Sequence, residues 1–313
     1  MLPFHLVYHE GYDLNLGQHV FPSQKFRLIR ERLLEEGFAK PEDFVQPEAA
    51  PDEDLLLVHE RGWIQRLKTG KLSYEEILQL EIPYSPEMVR AFCLAAGGTE
   101  LACRLALSEG VGYNVGGGFH HAFPDHGEGF CAINDIAVGI RKMQHDGKIA
   151  RAMVVDCDNH HGNGTAAIFA GDASVFTLSI HQYNNYPGTK PPSSVDVHLS
   201  DGVSDEEYLE RLGAAYRFPV SGFHPDLLVY VAGADPYRED QLGGLSLTLE
   251  GLKRRDRLVI ETSLRQGTPV AIVLAGGYAI RVEDTVTIHA NTAKVARETL
   301  ESVGWKRPGE LSA

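Results

Sequence analysis

Apolar residues in this chain fall into two kinds of run. Five are short and continuous: FHLVYH at 4–9, RAMVVDCD at 151–158, SVFTLSIH at 174–181, DLLVYVAG at 226–233 and VAIVLAGG at 270–277. They are rich in β-branched residues and do not alternate, the pattern of strands covered on both faces. GYNVGGG at 112–118 is a shorter example. Between them the period becomes helical. Phe26, Ile29 and Leu33 share one face of a segment from Lys25 to Glu36. Pro86–Ser108, Ile133–His145, Asp205–Phe218, Leu249–Gln266 and Val282–Ser302 behave alike. Strands alternating with helices predict an α/β protein with a parallel sheet between helical layers. The Pro- and acid-rich stretch 37–56 reads as a connection, and the 36 residues before it are too few for a separate core. Residues 1–313 are therefore read as a single catalytic-sized domain.

Polar clusters follow these strands. GGGFHH comes after the run at 112–115, DCDNHHGNG closes the run at 151–158, GADP follows 226–233 and GGY follows 270–275. In a parallel sheet the carboxyl ends of the strands share one edge, where ligands bind. Four segments far apart in sequence are thus expected to meet.

Composition narrows the partners. Lys and Arg number 29 against 43 Asp and Glu, a net charge of −14, which disfavours nucleic acid and favours cationic substrates. No apolar stretch of about 18 residues predicts a membrane span. The first residues lack a basic and then apolar leader, so a cytoplasmic location is expected. Cys93, Cys103, Cys131 and Cys157 form no C-x-x-C pair, which points away from a disulfide framework or a thiolate zinc site. The chemistry rests on histidine, of which there are 14.

Asp156, Asp158 and His160 alternate along an extended chain, so they face one side if the strand continues past Asp158. A carboxylate and an imidazole two residues apart begin a zinc site. A polar turn with a helix cap is the plainer alternative, although two Asp, two His and two Gly in nine residues exceed what a cap requires. Asp235, just past an apolar strand, is the best third ligand, against the alternative of an Asp-Pro turn. His120 and His121 on a glycine-rich loop offer a general base near neutral pH. Tyr278 offers a hydrogen bond to a developing oxyanion. Together these groups suit metal-assisted hydrolysis of an amide.

The motifs GFHHA, GFCAIND, DCDNHHGNG, GADPYREDQLGGLSLT and GGY occur in the order found in the zinc-dependent histone deacetylase family, and the chain resembles that family over nearly its whole length. NVGGGFHHA, Asn163 and DQLGGLS are most similar to its class IV branch. Bacterial acetoin-utilisation proteins and acetylpolyamine amidohydrolases share the core motifs. The resemblance implies the arginase/deacetylase fold, a mostly parallel eight-stranded sheet between helices. It implies zinc on Asp158, His160 and Asp235, with His120, His121 and Tyr278 catalytic and His121 the base. Asp156 would pair with His120 and, with Ser179 and backbone carbonyls, hold a potassium ion. Gly129 and Phe130 would form one wall of an acyl-lysine tunnel and Tyr186 the other. Acylated lysine side chains or acylated amines are the implied substrates.

Two positions depart from the family pattern. Asn163 stands where most members have Asp, so His121 is expected to protonate less readily. Lys25 matches an Arg that other branches place near an exit channel, and no residue matches the acidic rim group that grips substrate backbone in class I enzymes. Three alternatives were weighed. A two-manganese ureohydrolase would need a carboxylate where Gly162 stands. An acetylpolyamine amidohydrolase would carry a restricting loop. A silent acyl-lysine or zinc-binding module would have no use for Tyr278 and both histidines.

Overall fold

The computed structural model describes residues 1–305. The chain runs through β1 (Leu6–Val7), α1 (Lys25–Glu35), β2 (Phe44–Val45), α2 (Asp52–Leu55), α3 (Arg61–Thr69), α4 (Tyr74–Leu80), α5 (Pro86–Glu109) and β3 (Val111–Asn114). It continues through α6 (Asp135–His145), β4 (Ala152–Asp156), α7 (Asn163–Ile168), β5 (Val175–Gln182) and β6 (Val195–Leu199). Then come α8 (Asp205–Phe223), β7 (Leu227–Val231), α9 (Leu249–Arg265), β8 (Val270–Val273) and α10 (Val282–Val303). The eight strands form one sheet in the order β2-β1-β3-β8-β7-β4-β5-β6. Every neighbouring pair is parallel, which sharpens the expectation of a mostly parallel sheet.

Alternate residues of the central strands enter two cores. Val154, Val229, Ala271 and Val273 pack with Cys103 and Ala106 of α5 and Ile136, Ile140 and Met143 of α6. Met153, Val155, Leu228, Tyr230 and Ile272 join the larger core that also takes residues of α1, α8, α9 and α10. Burial on both faces explains why these strands are apolar without alternation. The long helix α5 starts on a Ser85 side chain that accepts from Met88 N, has Pro86 in its first turn and stops at Gly110. It is long and apolar enough to cross a membrane, yet most of its apolar window is buried inside the protein.

Some elements lie outside the periodicity. β6 is an edge strand with Val197 and Leu199 buried and His198 exposed, an alternation that a search for continuous apolar runs passes over. β2 has only two residues and falls in the stretch read as a connection, as does α2. α3, α4 and α7 are likewise short. α8 passes through Pro219 instead of ending before it, because Tyr216 and Val220 remain buried on either side of the proline.

One buried cation ties strand ends together. Arg255 of α9 is wholly buried, and its Nη1 donates to the carbonyls of Gly233 at 2.6 Å and Cys157 at 3.2 Å. Its Nη2 donates to Asp256 Oδ1 at 2.8 Å, which also accepts from Tyr230 in β7 at 2.6 Å. Asp256 Oδ2 accepts from Thr292 in α10 at 2.7 Å. The guanidinium thus clamps the chain just beyond β4 and β7, where polar loops begin. Arg255→Met leaves Asp256 without its cation and is expected to cost about 3–5 kcal/mol. Denaturant unfolding measures this, and a loss below about 1 kcal/mol would show that the clamp is dispensable.

Candidate functional site

β3, β4, β7 and β8 deliver their loops to one edge of the sheet, as the polar clusters required. Past Asp156 the chain does not stay extended. Asp156 Oδ1 accepts from Asp158 N at 3.1 Å, and Asp158 Oδ1 accepts from His160 N at 2.9 Å. Two successive Asx-type turns therefore replace the alternation assumed for 156–160. Asp156 turns to His120, while Asp158 and His160 turn to Asp235.

Asp158, His160 and Asp235 are at most 5% exposed. His160 Nδ1 lies 3.1 Å from Asp158 Oδ1 and 3.0 Å from Asp235 Oδ2. Main-chain N–H groups aim the carboxylates: Gly276 donates to Asp158 Oδ2 at 2.8 Å and Asn159 to Asp235 Oδ1 at 2.8 Å. A Cβ at position 276 would strike both carboxylates, so only glycine admits this approach. Burial opposes protonation of His160, but Asp158 and Asp235 raise it well above the ordinary value for histidine. Burial and Asp158 push Asp235 up to about 7. Against burial, His120 and His160 hold Asp158 well below the usual range. One imidazole nitrogen and two carboxylates, with donor atoms within 4.8 Å of one another, fit a zinc ion with an open position.

The tandem histidines differ in their partners. Asp135 fixes their loop by accepting from Gly118 N at 2.9 Å and Phe119 N at 2.7 Å. His120 Nδ1 meets Asp156 Oδ2 at 2.7 Å. Burial opposes its protonation, but Asp156 and Asp158 raise it to about 9. His121 Nδ1 meets Asn163 Oδ1 at 2.7 Å. Burial and the neighbouring His120 and His160 hold His121 well below the ordinary value for histidine, against a smaller raising effect of the Asn163 hydrogen bond.

Glu128, which sequence reasoning passed over, orients this pair. Its Oε1 accepts from Asn163 Nδ2 and from the Tyr186 hydroxyl at 3.1 Å. An ionised carboxylate only accepts, so the Asn163 amide must turn its NH₂ to Glu128 and its oxygen to His121. His121 then donates from Nδ1 and keeps a lone pair on Nε2. The signal was in plain view, since Glu128 directly precedes the GFCAIND motif. Asp240 was missed in the same way within DQLGG: its Oδ2 accepts from Tyr278 N at 2.7 Å and positions that residue.

These groups surround a cavity of ≈ 160 Å³ lined by Glu81, His121, Gly129, Phe130, His160, Asn185, Tyr186, Leu242 and Tyr278. Gly129, Phe130 and Tyr186 thus lie on its walls. Phe130 stands 6.0 Å from the Tyr278 ring and Tyr186 stands 5.0 Å from His121, centroid to centroid. Burial and the surrounding carboxylates keep the Tyr278 phenol protonated well above its usual range, so it remains a donor. Glu81 puts a carboxylate on the cavity wall where no acidic rim residue was found from sequence. Asp156 and Ser179 are neighbours in register, although the Ser179 hydroxyl also contacts His181 Nδ1 at 2.9 Å. Lys25 is buried beneath the site and donates to the Ala275 carbonyl at 2.6 Å. A side chain at Gly162 would collide with the Asp156 carboxylate, so a ureohydrolase-type second ligand has no room there.

Giving His121 a charged partner tests this electrostatic reading. Asn163→Asp, combined with Glu128→Gln so that the new carboxylate keeps a donor, favours the imidazolium. The His121 pKa should rise by about 1–3 units, shrinking its neutral fraction at pH 7. An ¹⁵N titration of the imidazole reads the shift, and an unmoved pKa would rule out the contact at Nδ1 as its determinant.

Comparison with known proteins agrees with this geometry. A histone deacetylase domain matches residues 19–293. An uncharacterised protein of Picosynechococcus sp. is 41% identical over 94% of this chain and 99% of its own length. Histone deacetylase 2 of Arabidopsis thaliana is 30% identical, over 87% of this chain and 74% of its own. The crystal structure of the HDA15 HD domain superposes with a TM-score of 0.81 at 25% identity, covering 96% of this chain and 93% of that one. With the domain match spanning the loops that carry His120, Asp158, Asp235 and Tyr278, this chain belongs to the histone deacetylase family.

Proposed function

We propose that the protein is a zinc-dependent deacylase that hydrolyses the side-chain amide of acetyl-lysine. The observation that carries this reading is one narrow cavity joining His160, His121 and Tyr278, with Asp158 and Asp235 bonded around His160. Asp158, His160 and Asp235 would hold the ion. Bound there, Zn²⁺ supplies Lewis acidity and a water of lowered pKa.

The chain's own groups do the rest. Phe130 and Tyr186 line the cavity against the aliphatic stem of the lysine and exclude water from it. Tyr278 donates its phenolic proton in a hydrogen bond to the carbonyl oxygen as negative charge develops there. His121 Nε2 accepts the proton of the attacking water and returns it to the departing amine. His120, paired with Asp156, adds positive charge beside the reacting carbonyl. Asp156 and Ser179, neighbours in register, would hold a potassium ion behind the site with help from backbone carbonyls. Glu81 on the cavity wall attracts the cationic flanks of a substrate, in keeping with the net charge of −14.

Cavity volume bears on the acyl group. A cavity of about 160 Å³ walled by Phe130, Tyr186 and Leu242 has room for an acetyl group at the end of a lysine stem. Hydrolysis of lysine peptides carrying acyl groups from acetyl to myristoyl, with acetylated polyamines alongside, tests the proposal. Acetyl-lysine should be the better substrate, with turnover lost on chelation and restored by Zn²⁺. Tyr278→Phe should lower kcat by about 10²–10³ while metal content is unchanged. Inactivity across the panel, or activity indifferent to chelation, would overturn the proposal. A strong preference for polyamines would move the substrate from proteins to small amines.

A further inference from the structure

The residue after His160 points to a different place. His161 is wholly buried, and its Nε2 lies 3.1 Å from Asp196 Oδ1 on the edge strand β6. Its ring packs edge-on against His181 of β5, with centroids 4.6 Å apart. Ser179 and Asp196 are register neighbours, as are His181 and His198, so one face of the β5–β6 pair carries all four. The segment after β4 lays His161 against that face. One ring nitrogen of His161, one of His181 and one Asp196 oxygen lie within 4.8 Å of one another.

The donor atoms of this cluster are held in place from outside it. His161 turns its Nε2 toward Asp196 Oδ1, and Ser193 Oγ stands 3.4 Å from the same nitrogen. His181, also wholly buried, spends its Nδ1 on Ser179 Oγ at 2.9 Å. If that nitrogen donates, Nε2 keeps a lone pair, the arrangement by which an outer hydrogen bond orients a metal-binding imidazole. Asp196 Oδ2 accepts from Ser193 N at 2.9 Å, which fixes the carboxylate while Oδ1 faces His161. His198, exposed on the edge strand, brings its Nδ1 to 2.9 Å from His181 Nε2 and gives the cluster a side open to solvent.

We propose that His161, His181 and Asp196, with His198 as the fourth group, form a second transition-metal site suited to Zn²⁺. Two imidazoles and a carboxylate are zinc ligands, whereas alkali and alkaline-earth ions prefer all-oxygen sites. Tetrahedral zinc with bonds of about 2.0–2.1 Å keeps its ligand atoms about 3.3 Å apart. The 3.1 Å and 2.9 Å contacts are already near that separation, and the other pairs among His161, His181 and Asp196, all within 4.8 Å, need to close by up to about 1.5 Å. Metal here would be structural. It would fasten the segment carrying His160 to the far edge of the sheet, so that two adjacent histidines serve two different ions.

Metal counting on the full chain tests this without reference to activity. The demetallised protein is loaded with Zn²⁺, freed of excess by gel filtration and analysed by mass spectrometry, with circular dichroism as the check on folding. Wild type should retain two equivalents, Asp235→Asn one, Asp196→Asn one, and the combination none. Co²⁺ in Asp235→Asn should show the absorption of a nitrogen–oxygen tetrahedral site. His198→Ala lies on the exposed edge and keeps the test open if Asp196→Asn does not fold. In the Asp235→Asn background it should weaken zinc binding at least tenfold. Folded Asp235→Asn protein that retains no zinc would overturn the second site. So would zinc binding in that background unaffected by both Asp196→Asn and His198→Ala.

Discussion

Two carboxylates buried against each other set the terms for the active edge of this sheet. Asp158 and Asp235 share His160 Nδ1 at 3.1 and 3.0 Å, and neither is more than 1% exposed. Burial opposes both charges and, with Asp158, pushes Asp235 up to about 7, while the two carboxylates raise His160 between them. The fold nonetheless holds them in place. Main-chain N–H groups aim the oxygens, glycine at 276 lets the backbone come close, and Arg255 clamps the carbonyls of Cys157 and Gly233 just upstream. The donor set held in this way fits a metal ion. The buried amine of Lys25 donates its hydrogen bond to the Ala275 carbonyl instead, although the carboxylates of Asp235, Asp158 and Asp240 counter the effect of burial on it.

Around that centre, directional hydrogen bonds decide which groups give protons and which take them. An acceptor-only Glu128 turns the Asn163 amide, Asn163 sets the His121 tautomer, and His121 keeps Nε2 for the cavity. Asp156 does the opposite for His120 by favouring its charged form. The two adjacent histidines are thus driven apart in proton affinity: Asp156 and Asp158 raise His120, while burial and the neighbouring His120 and His160 lower His121. Asp240 performs a parallel service for Tyr278 by holding its backbone. Each of these effects acts through a neighbour, which is why substitution of a residue far down the chain of contacts is felt at the reacting atoms.

Much of this was legible in the sequence because buried parallel strands leave a strong trace. β4, β5, β7 and β8 were continuous apolar runs, and the polar clusters beyond them converge at one edge because the sheet is parallel throughout. What was less legible follows from length and exposure. β2 has too few residues for a period, β6 alternates because it is an edge, and α2, α3, α4 and α7 are too short to repeat an apolar face often. The local geometry past Asp156 was misjudged for another reason. Asp158 and His160 were expected to follow strand spacing, but Asp side chains bond their own backbone two residues on and bend the chain. Glu128 and Asp240 were invisible as functional groups because their partners are brought to them by tertiary structure alone.

Zinc held by Asp158, His160 and Asp235 is the claim on which the catalytic reading depends. Crystals of the metal-loaded protein, measured across the zinc absorption edge, test it most directly. The account predicts an anomalous peak about 2.0–2.2 Å from His160 Nδ1 and from one oxygen each of Asp158 and Asp235. A map with no peak there, and His160 still hydrogen-bonded to both carboxylates, would contradict it.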